Sequence, residues 1–234
     1  MTAELMVAAG DQAALPESIK VNGVDLPVWP QGQPAAHNPA SLLAITTFPD
    51  VAVYHPELIA TAMAAEQDPR FRAPMLRGGC GVKVRNIPAW NTPAATLIHA
   101  RALMVAHYTL SRRAVFADDT WASVYRAGDY CIAHSHLRSY VSIVYMLDPG
   151  DEDPDDKLAG KLWLADPRIP WCCPHEPGRV TRPVIPTMTS GTMLIFSSDY
   201  LHSVNPYYGL RPRVTLSWNI TLERLPGRPR EGWE

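Results

Sequence analysis

The residues with the clearest chemical meaning are three histidines and one arginine. His134 and His136 stand two apart in Tyr130-Cys-Ile-Ala-His134-Ser-His136. In an extended strand, residues i and i+2 project from one face, so this pair can chelate. His202 follows 66 residues after His136, beside a predicted strand end and just past Asp199. Neutral imidazole is the commonest ligand for first-row transition metals. A lone histidine reads as an ordinary buried or surface imidazole. A His-x-His pair on a strand, joined by a third histidine ahead of an arginine-bearing strand, reads as a metal site. Arg213, eleven residues after His202, opens that strand.

The elements that must position these residues fall into two textures. In the first half, Asn22-Gly23 between Ile19-Lys-Val21 and Val24-Asp-Leu26 predicts a short hairpin. Residues 30–39 read as loop and 42–48 as a strand. His55-Pro56-Glu57 predicts a helix start, with proline in the first turn. Residues 70–92 read as loop with one short strand near Val82-Lys-Val84. Thr92-Pro93 opens a second helix with Thr92 as its N-cap. From Asp119 onward, short β-rich runs bounded by Gly, Pro, Asp or Ser follow one another: 121–126, 130–133, 140–147, 161–165, 182–186, 192–196 and 213–221. Two helices followed by seven or eight short strands predict an α+β, mainly β fold. Its core is a jelly roll, with the helices packed on one sheet. The division is an N-terminal arm over 1–40 and one domain over 41–234, with helices over about 55–113 and a β core over about 120–222.

Composition narrows the function. Of 234 residues, 47% are hydrophobic and 19% charged, so a large core forms and bulk disorder is excluded. The net charge of −2 gives no basic field for nucleic acid. No apolar run is long enough to span a bilayer, and the N-terminus lacks the features of a signal peptide. Four cysteines, two of them adjacent (Cys172 and Cys173), suit reduced thiols in a cytoplasmic protein. The acidic stretch 148–157 has the density of a calcium loop without its register and reads as a solvated hairpin loop.

Taken in order, several segments are similar to one family. They are Trp121 to His136, Ser142 to Leu147, Gly160 to Arg168, Gly191 to Phe196, His202 to Pro206 and Arg211 to Asn219. The set resembles the 2-oxoglutarate/Fe(II)-dependent oxygenases of the double-stranded β-helix type, as an HxH…H…R variant. The resemblance covers about residues 120–220. It implies Fe(II) bound by His134 and His202, and 2-oxoglutarate as co-substrate. Arg213 would hold the distal carboxylate of 2-oxoglutarate, with Thr215 on the same strand face and Tyr145 or Ser142 as further donors. Arginine's planar fork suits a buried carboxylate. Arg211 competes for this role, but Pro212 places it in the loop. The implied reaction is hydroxylation of a small-molecule or peptide substrate with release of succinate and CO2.

One position departs from the family pattern. Where a carboxylate is usual, two residues after the first histidine, this chain has His136. Either His136 binds the metal directly, or Asp199 or Asp166 completes the site; direct coordination is the preferred reading. The departure keeps two alternatives open: a cupin-like three-histidine metalloenzyme that does not use 2-oxoglutarate, and a non-catalytic barrel that binds metal or ligand. The long segment 168–186 reads as a loop over the site, with His175, Arg179 and Arg182 available to an anionic substrate.

Overall fold

The strand that ends the fold, Arg213–Thr221, is buried along its whole length, yet its side chains alternate in character. Val214, Leu216, Trp218 and Ile220 belong to the main hydrophobic core. Arg213, Thr215, Ser217 and Asn219 line a cavity on the other side. A strand sends successive side chains to opposite faces, so this sequence pattern dictates a sheet with helices behind it and a polar chamber in front.

The computed structural model describes residues 15–38, 42–75, 78–111, 114–165 and 184–223. The elements, in chain order, are β1 (Ser18–Val21), β2 (Val24–Pro27), β3 (Ala36–Asn38), β4 (Leu43–Thr47), α1 (Val51–Glu66), β5 (Arg72–Pro74), β6 (Gly79–Cys80) and β7 (Val82–Arg85). After a short 3-10 helix, Ile87–Trp90, come α2 (Pro93–Leu110), β8 (Phe116–Tyr125), β9 (Tyr130–His134), β10 (Val141–Asp148), β11 (Leu162–Ala165), β12 (Thr192–Ser197), β13 (Leu201–Val204) and β14 (Arg213–Thr221). The major sheet runs β3-β4-β12-β10-β14-β8-β7-β5, and the minor sheet β11-β13-β9-β6. All strand pairs are antiparallel. The two sheets form a double-stranded β-helix with both helices against the major sheet, as the sequence predicts. No helix among the described residues is long and apolar enough to cross a membrane.

The predicted hairpin is β1–β2, turning through Asn22 and Gly23 at φ 49° and 80°. These positive values suit Asn-Gly in a two-residue turn. Val21, Leu26 and Val28 bury into the same core as the helices. Thr92 caps α2 as expected, its hydroxyl accepting the Ala95 N–H at 3.3 Å. The first helix starts at Val51, a turn earlier than predicted, and encloses Pro56. The preceding Asp50 makes no side-chain cap, because its carboxylate receives both guanidinium nitrogens of Arg101, Nη1 at 2.8 Å and Nη2 at 2.5 Å. Arg101 is fully buried, and its Nη2 also donates to the Pro27 carbonyl, tying α2 to the start of α1 and to the hairpin.

Residues 70–92 contain three strands and a helical turn where one strand was expected. The other two, β5 and β6, are three and two residues long, too short to carry a period. The four-residue β13 escapes for the same reason. Of the predicted strand 182–186, residues 182 and 183 lie outside the described residues, and Val184 forms a single bridge to Leu164.

A hydrogen-bonded chain joins α1 to the back of the major sheet. Ser190 Oγ donates to the Leu147 carbonyl at 3.2 Å, so His55 Nδ1–H donates to Ser190. His55 Nε2 then accepts from the Tyr145 hydroxyl, which accepts from Tyr54 at 2.7 Å. Burial lowers the His55 pKa to about 4, partly opposed by Asp148 and Asp50.

Two outcomes follow. Trp218→Ala removes a fully buried indole that donates to His99 Nδ1 on α2 at 3.0 Å. Urea unfolding should show a loss of about 3–5 kcal/mol. For His55, the unfolded chain takes up a proton near pH 6.5 that the folded chain refuses until about pH 4. Stability is therefore intact above pH 6.5 and declines between there and pH 4, with a slope from this group of at most about 1.4 kcal/mol per pH unit. In His55→Asn, denaturation across that range should show a shallower slope.

Candidate metal centre and its cavity

β13 pairs antiparallel with β9 so that His202 lies directly opposite His134. Their rings sit with centroids 4.2 Å apart. His136 lies two residues beyond the end of β9, not on the strand as predicted. It still reaches the same space, because its backbone N–H donates to the Ser198 carbonyl at 2.9 Å. Its ring centroid is 5.0 Å from each of the other two. One nitrogen from each of the three rings falls within 4.8 Å of the others.

Second hydrogen bonds fix the rings. His134 Nδ1 meets the Ile132 carbonyl at 2.8 Å, and His202 Nδ1 meets the Tyr200 carbonyl at 3.0 Å. A carbonyl only accepts, so each Nδ1 carries the proton and each Nε2 keeps its lone pair for a metal. The Asn219 side-chain nitrogen lies 3.4 Å from His136 Nδ1. Burial lowers the pKa of His134, and burial together with the neighbouring His134 lowers that of His202 to about 4. Neutral imidazoles are what a metal requires. Three nitrogen donors on one side, with room opposite, fit iron(II) with positions left for co-substrate.

The cavity in front of the histidines has about 50 Å³ of room for water and opens to solvent. Arg213 and Thr215 line it as expected. Arg213 is 3% exposed, its guanidinium lies 5.5 Å from the Tyr125 ring centre, and its Nη1 is buried without a hydrogen-bond partner. Burial lowers its pKa from the usual arginine range. At Gly160, with φ +64°, a Cβ would come within 2.9 Å of Tyr207 Cδ2 and 3.3 Å of Arg213 Cδ, so glycine suits the close packing around the arginine stem. An orphaned, buried guanidinium N–H beside this cavity is a fit for a carboxylate.

Ser142 lines the same cavity, but its hydroxyl donates to Asn219 Oδ1 at 3.1 Å and contacts Ser198 at 3.0 Å. It therefore steadies the residue beside His136. Tyr145 is a correction. Three residues from Ser142 on β10, it faces the helices, where its hydroxyl is held by Tyr54 and His55. Asp199 is exposed and accepts from the Ser197 hydroxyl, outside the histidine cluster. Arg211 lies in the loop as expected, 60% exposed and paired with Asp151. Asp166, His175, Arg179, Arg182, Cys172 and Cys173 lie outside the described residues. The two described cysteines, Cys80 and Cys131, are free thiols.

Sequence reasoning passed over Lys83, Trp121, Ser123, Tyr125, Ser217 and Asn219, all of which line the cavity. The readable signal was polar residues at every second position of β14, Arg213, Thr215, Ser217 and Asn219.

Residues 119–219 match the sequence family described as "Putative 2OG-Fe(II) oxygenase". No curated protein matches the sequence. Among solved structures, a prolyl-4-hydroxylase from Pseudomonas putida is similar at TM-score 0.55 and 16% identity, over 76% of this chain and 92% of that one. AviO1 from Streptomyces viridochromogenes Tue57 gives 0.58 at 14%, over 81% and 93%. SnoN, a non-heme alpha-ketoglutarate-dependent epimerase from nogalamycin biosynthesis, gives 0.57 at 14%, over 81% and 86%. At these identities the likeness is one of fold.

Anaerobic Fe(II) affinity, measured by competition with a chromogenic chelator, should drop at least about tenfold in His134→Ala, His136→Ala and His202→Ala, and change less than about threefold in Asp199→Asn. Retained affinity in His136→Ala with a loss in Asp199→Asn would transfer the third ligand to the carboxylate.

Proposed function

We propose that this chain, whose residues 119–219 match the family described as "Putative 2OG-Fe(II) oxygenase" and lie on a double-stranded β-helix, hydroxylates a small-molecule or peptide substrate in an iron- and 2-oxoglutarate-dependent reaction. His134, His136 and His202 would hold the iron. The observation that carries the reading is the buried, unpartnered Nη1 of Arg213 in the same cavity as the three imidazoles. When bound, iron(II) supplies the O2-dependent oxidation that converts 2-oxoglutarate to succinate and CO2.

The chain's own residues have distinct tasks. Arg213 and the Thr215 hydroxyl bind the distal carboxylate and thereby orient the keto acid toward the histidines. The Tyr125 ring beneath the guanidinium favours its charged form. The hydrogen bonds linking Ser198, Ser142 and Asn219 hold the His136 ring. Leu162, Phe196 and Val204 supply an apolar wall that limits water at the reacting end.

One observation favours a second reading: among the described residues, the histidine cluster contains no carboxylate. A three-imidazole centre acting without 2-oxoglutarate, like that of cupin-type dioxygenases, has this donor set.

The experiment is anaerobic addition of Fe(II), then 2-oxoglutarate, to metal-free protein, followed by visible absorption. A charge-transfer band that needs both, with 2-oxoglutarate affinity reduced at least about tenfold in Arg213→Met, supports the proposal; one hydrogen bond to a charged group contributes about 1.5–3 kcal/mol. Succinate should then form on admission of air. Iron binding with no band on adding 2-oxoglutarate would leave the three-imidazole alternative in front.

A further inference from the structure

Two of the three imidazoles are wired alike and the third is not. On His134 and His202, Nδ1 donates to a backbone carbonyl, so the proton is on Nδ1 and Nε2 keeps its lone pair. The Nδ1 of His136 meets a side chain instead, the amide nitrogen of Asn219 at 3.4 Å. An amide nitrogen only donates, so here Nδ1 accepts and the neutral ring carries its proton on Nε2. A protonated ring nitrogen has no lone pair for a metal. In this arrangement the cluster offers two ligands and one N–H donor.

The far end of the amide sets its orientation. Asn219 and Ser142 lie opposite each other on β14 and β10, and the Ser142 hydroxyl donates to Asn219 Oδ1 at 3.1 Å. Ser142 also contacts the Ser198 hydroxyl at 3.0 Å, where either oxygen can donate. All three side chains are buried, so each polar end must stay paired. These residues have a second fully paired arrangement. A half-turn of the amide about its terminal torsion, which is broad and nearly two-fold in asparagine, exchanges Nδ2 and Oδ1. Oδ1 then accepts from His136 Nδ1–H. Nδ2 donates to Ser142, whose hydroxyl turns to donate to Ser198. The number of hydrogen bonds is unchanged. The ring stays neutral, because Nε2 loses a proton to water and Nδ1 gains one. Its Nε2 lone pair is then available beside those of His134 and His202.

We infer that Asn219 is a positioning residue that decides whether His136 is a metal ligand. Turned one way, the amide keeps His136 as a hydrogen-bond donor. Turned the other, it completes the three-imidazole site. His134 and His202 take their tautomers from backbone carbonyls, which cannot turn. Asn219 is a side chain, which can. Metal loading and the half-turn of the amide are therefore linked, each favouring the other. The inference rests on the reading of His136 as a ligand and does not depend on 2-oxoglutarate.

The test is nitrogen NMR of the full-length chain with isotopically labelled histidine, metal-free and then with Zn(II), a diamagnetic stand-in for iron(II). Long-range proton–nitrogen correlations at neutral pH tell Nδ1–H from Nε2–H on each ring, and His136→Gln identifies the His136 signals. Without metal, His136 should be the Nε2–H tautomer, and His134 and His202 the Nδ1–H tautomer. With Zn(II), all three should be Nδ1–H. In chelator competition, Asn219→Leu, similar in size and unable to accept, should lower Zn(II) affinity at least about tenfold. In a His136→Ala background the same change should lower it less than about threefold. An equal loss there would mean a packing role and overturn the inference. Asn219→Asp, whose carboxylate only accepts, should hold Nδ1–H on His136 before metal is added. A His136 that is already Nδ1–H in the unaltered, metal-free chain overturns the switch and leaves His136 a ligand. A His136 that keeps Nε2–H with Zn(II) bound removes it from the ligand set, and the switch falls with that reading.

Discussion

The register that sets His202 opposite His134 in the minor sheet is the constraint on which the rest of the site depends. A slip of one residue in either strand would turn one imidazole to the other face. No loop adjustment could recover the cluster. The pairing is guarded on both sides of β13. Leu162 and Leu164 come from β11, and Phe196 lies 5.0 Å from the His202 ring. A register shift past His202 ends the regular ladder just beyond the ligand. The third histidine sits off the strand and depends on Ser198 and Asn219, so it is the member of the cluster set least by the sheet itself.

Two buried arginines show how the same residue serves structure and site. Arg101 is wholly enclosed, but its fork is spent on Asp50 and the Pro27 carbonyl, with Phe48 and Tyr54 rings beside it. It ties three segments together. Arg213 is nearly as enclosed, but among the described residues lining its cavity there is no carboxylate, and its guanidinium has the Tyr125 ring beside it. An uncompensated buried charge costs several kcal/mol, and the helix-side core on the same strand supplies the stability that tolerates it. The contrast separates a cation that holds the fold from one that awaits a ligand.

Much of this was legible in the residues. The His-x-His pair, the distant histidine and Arg213 are fixed by identity and spacing, and the structure brings them to one cavity. Long periodic elements such as α2 and β14 announced themselves. Short elements did not, since β6 and β13 owe their existence to partners far away in sequence. Tyr145 was misplaced because strand parity had not been applied to it. It is three residues from Ser142, an odd step, and an odd step changes face. Lys83 was overlooked because a lysine in a short strand ordinarily points to water. Only the closure of the barrel makes that face an interior.

The two-faced β14 has an evolutionary consequence. Its even-numbered side chains anchor the helices, and its odd-numbered ones furnish the chamber. Exchanges at Ser217, or at Ser123 on the neighbouring strand, can therefore reshape what the chamber admits without opening a hole in the packing that keeps the domain folded. Selection can act on the two faces almost independently. A lineage carrying such a strand can explore new substrates at little risk to its fold.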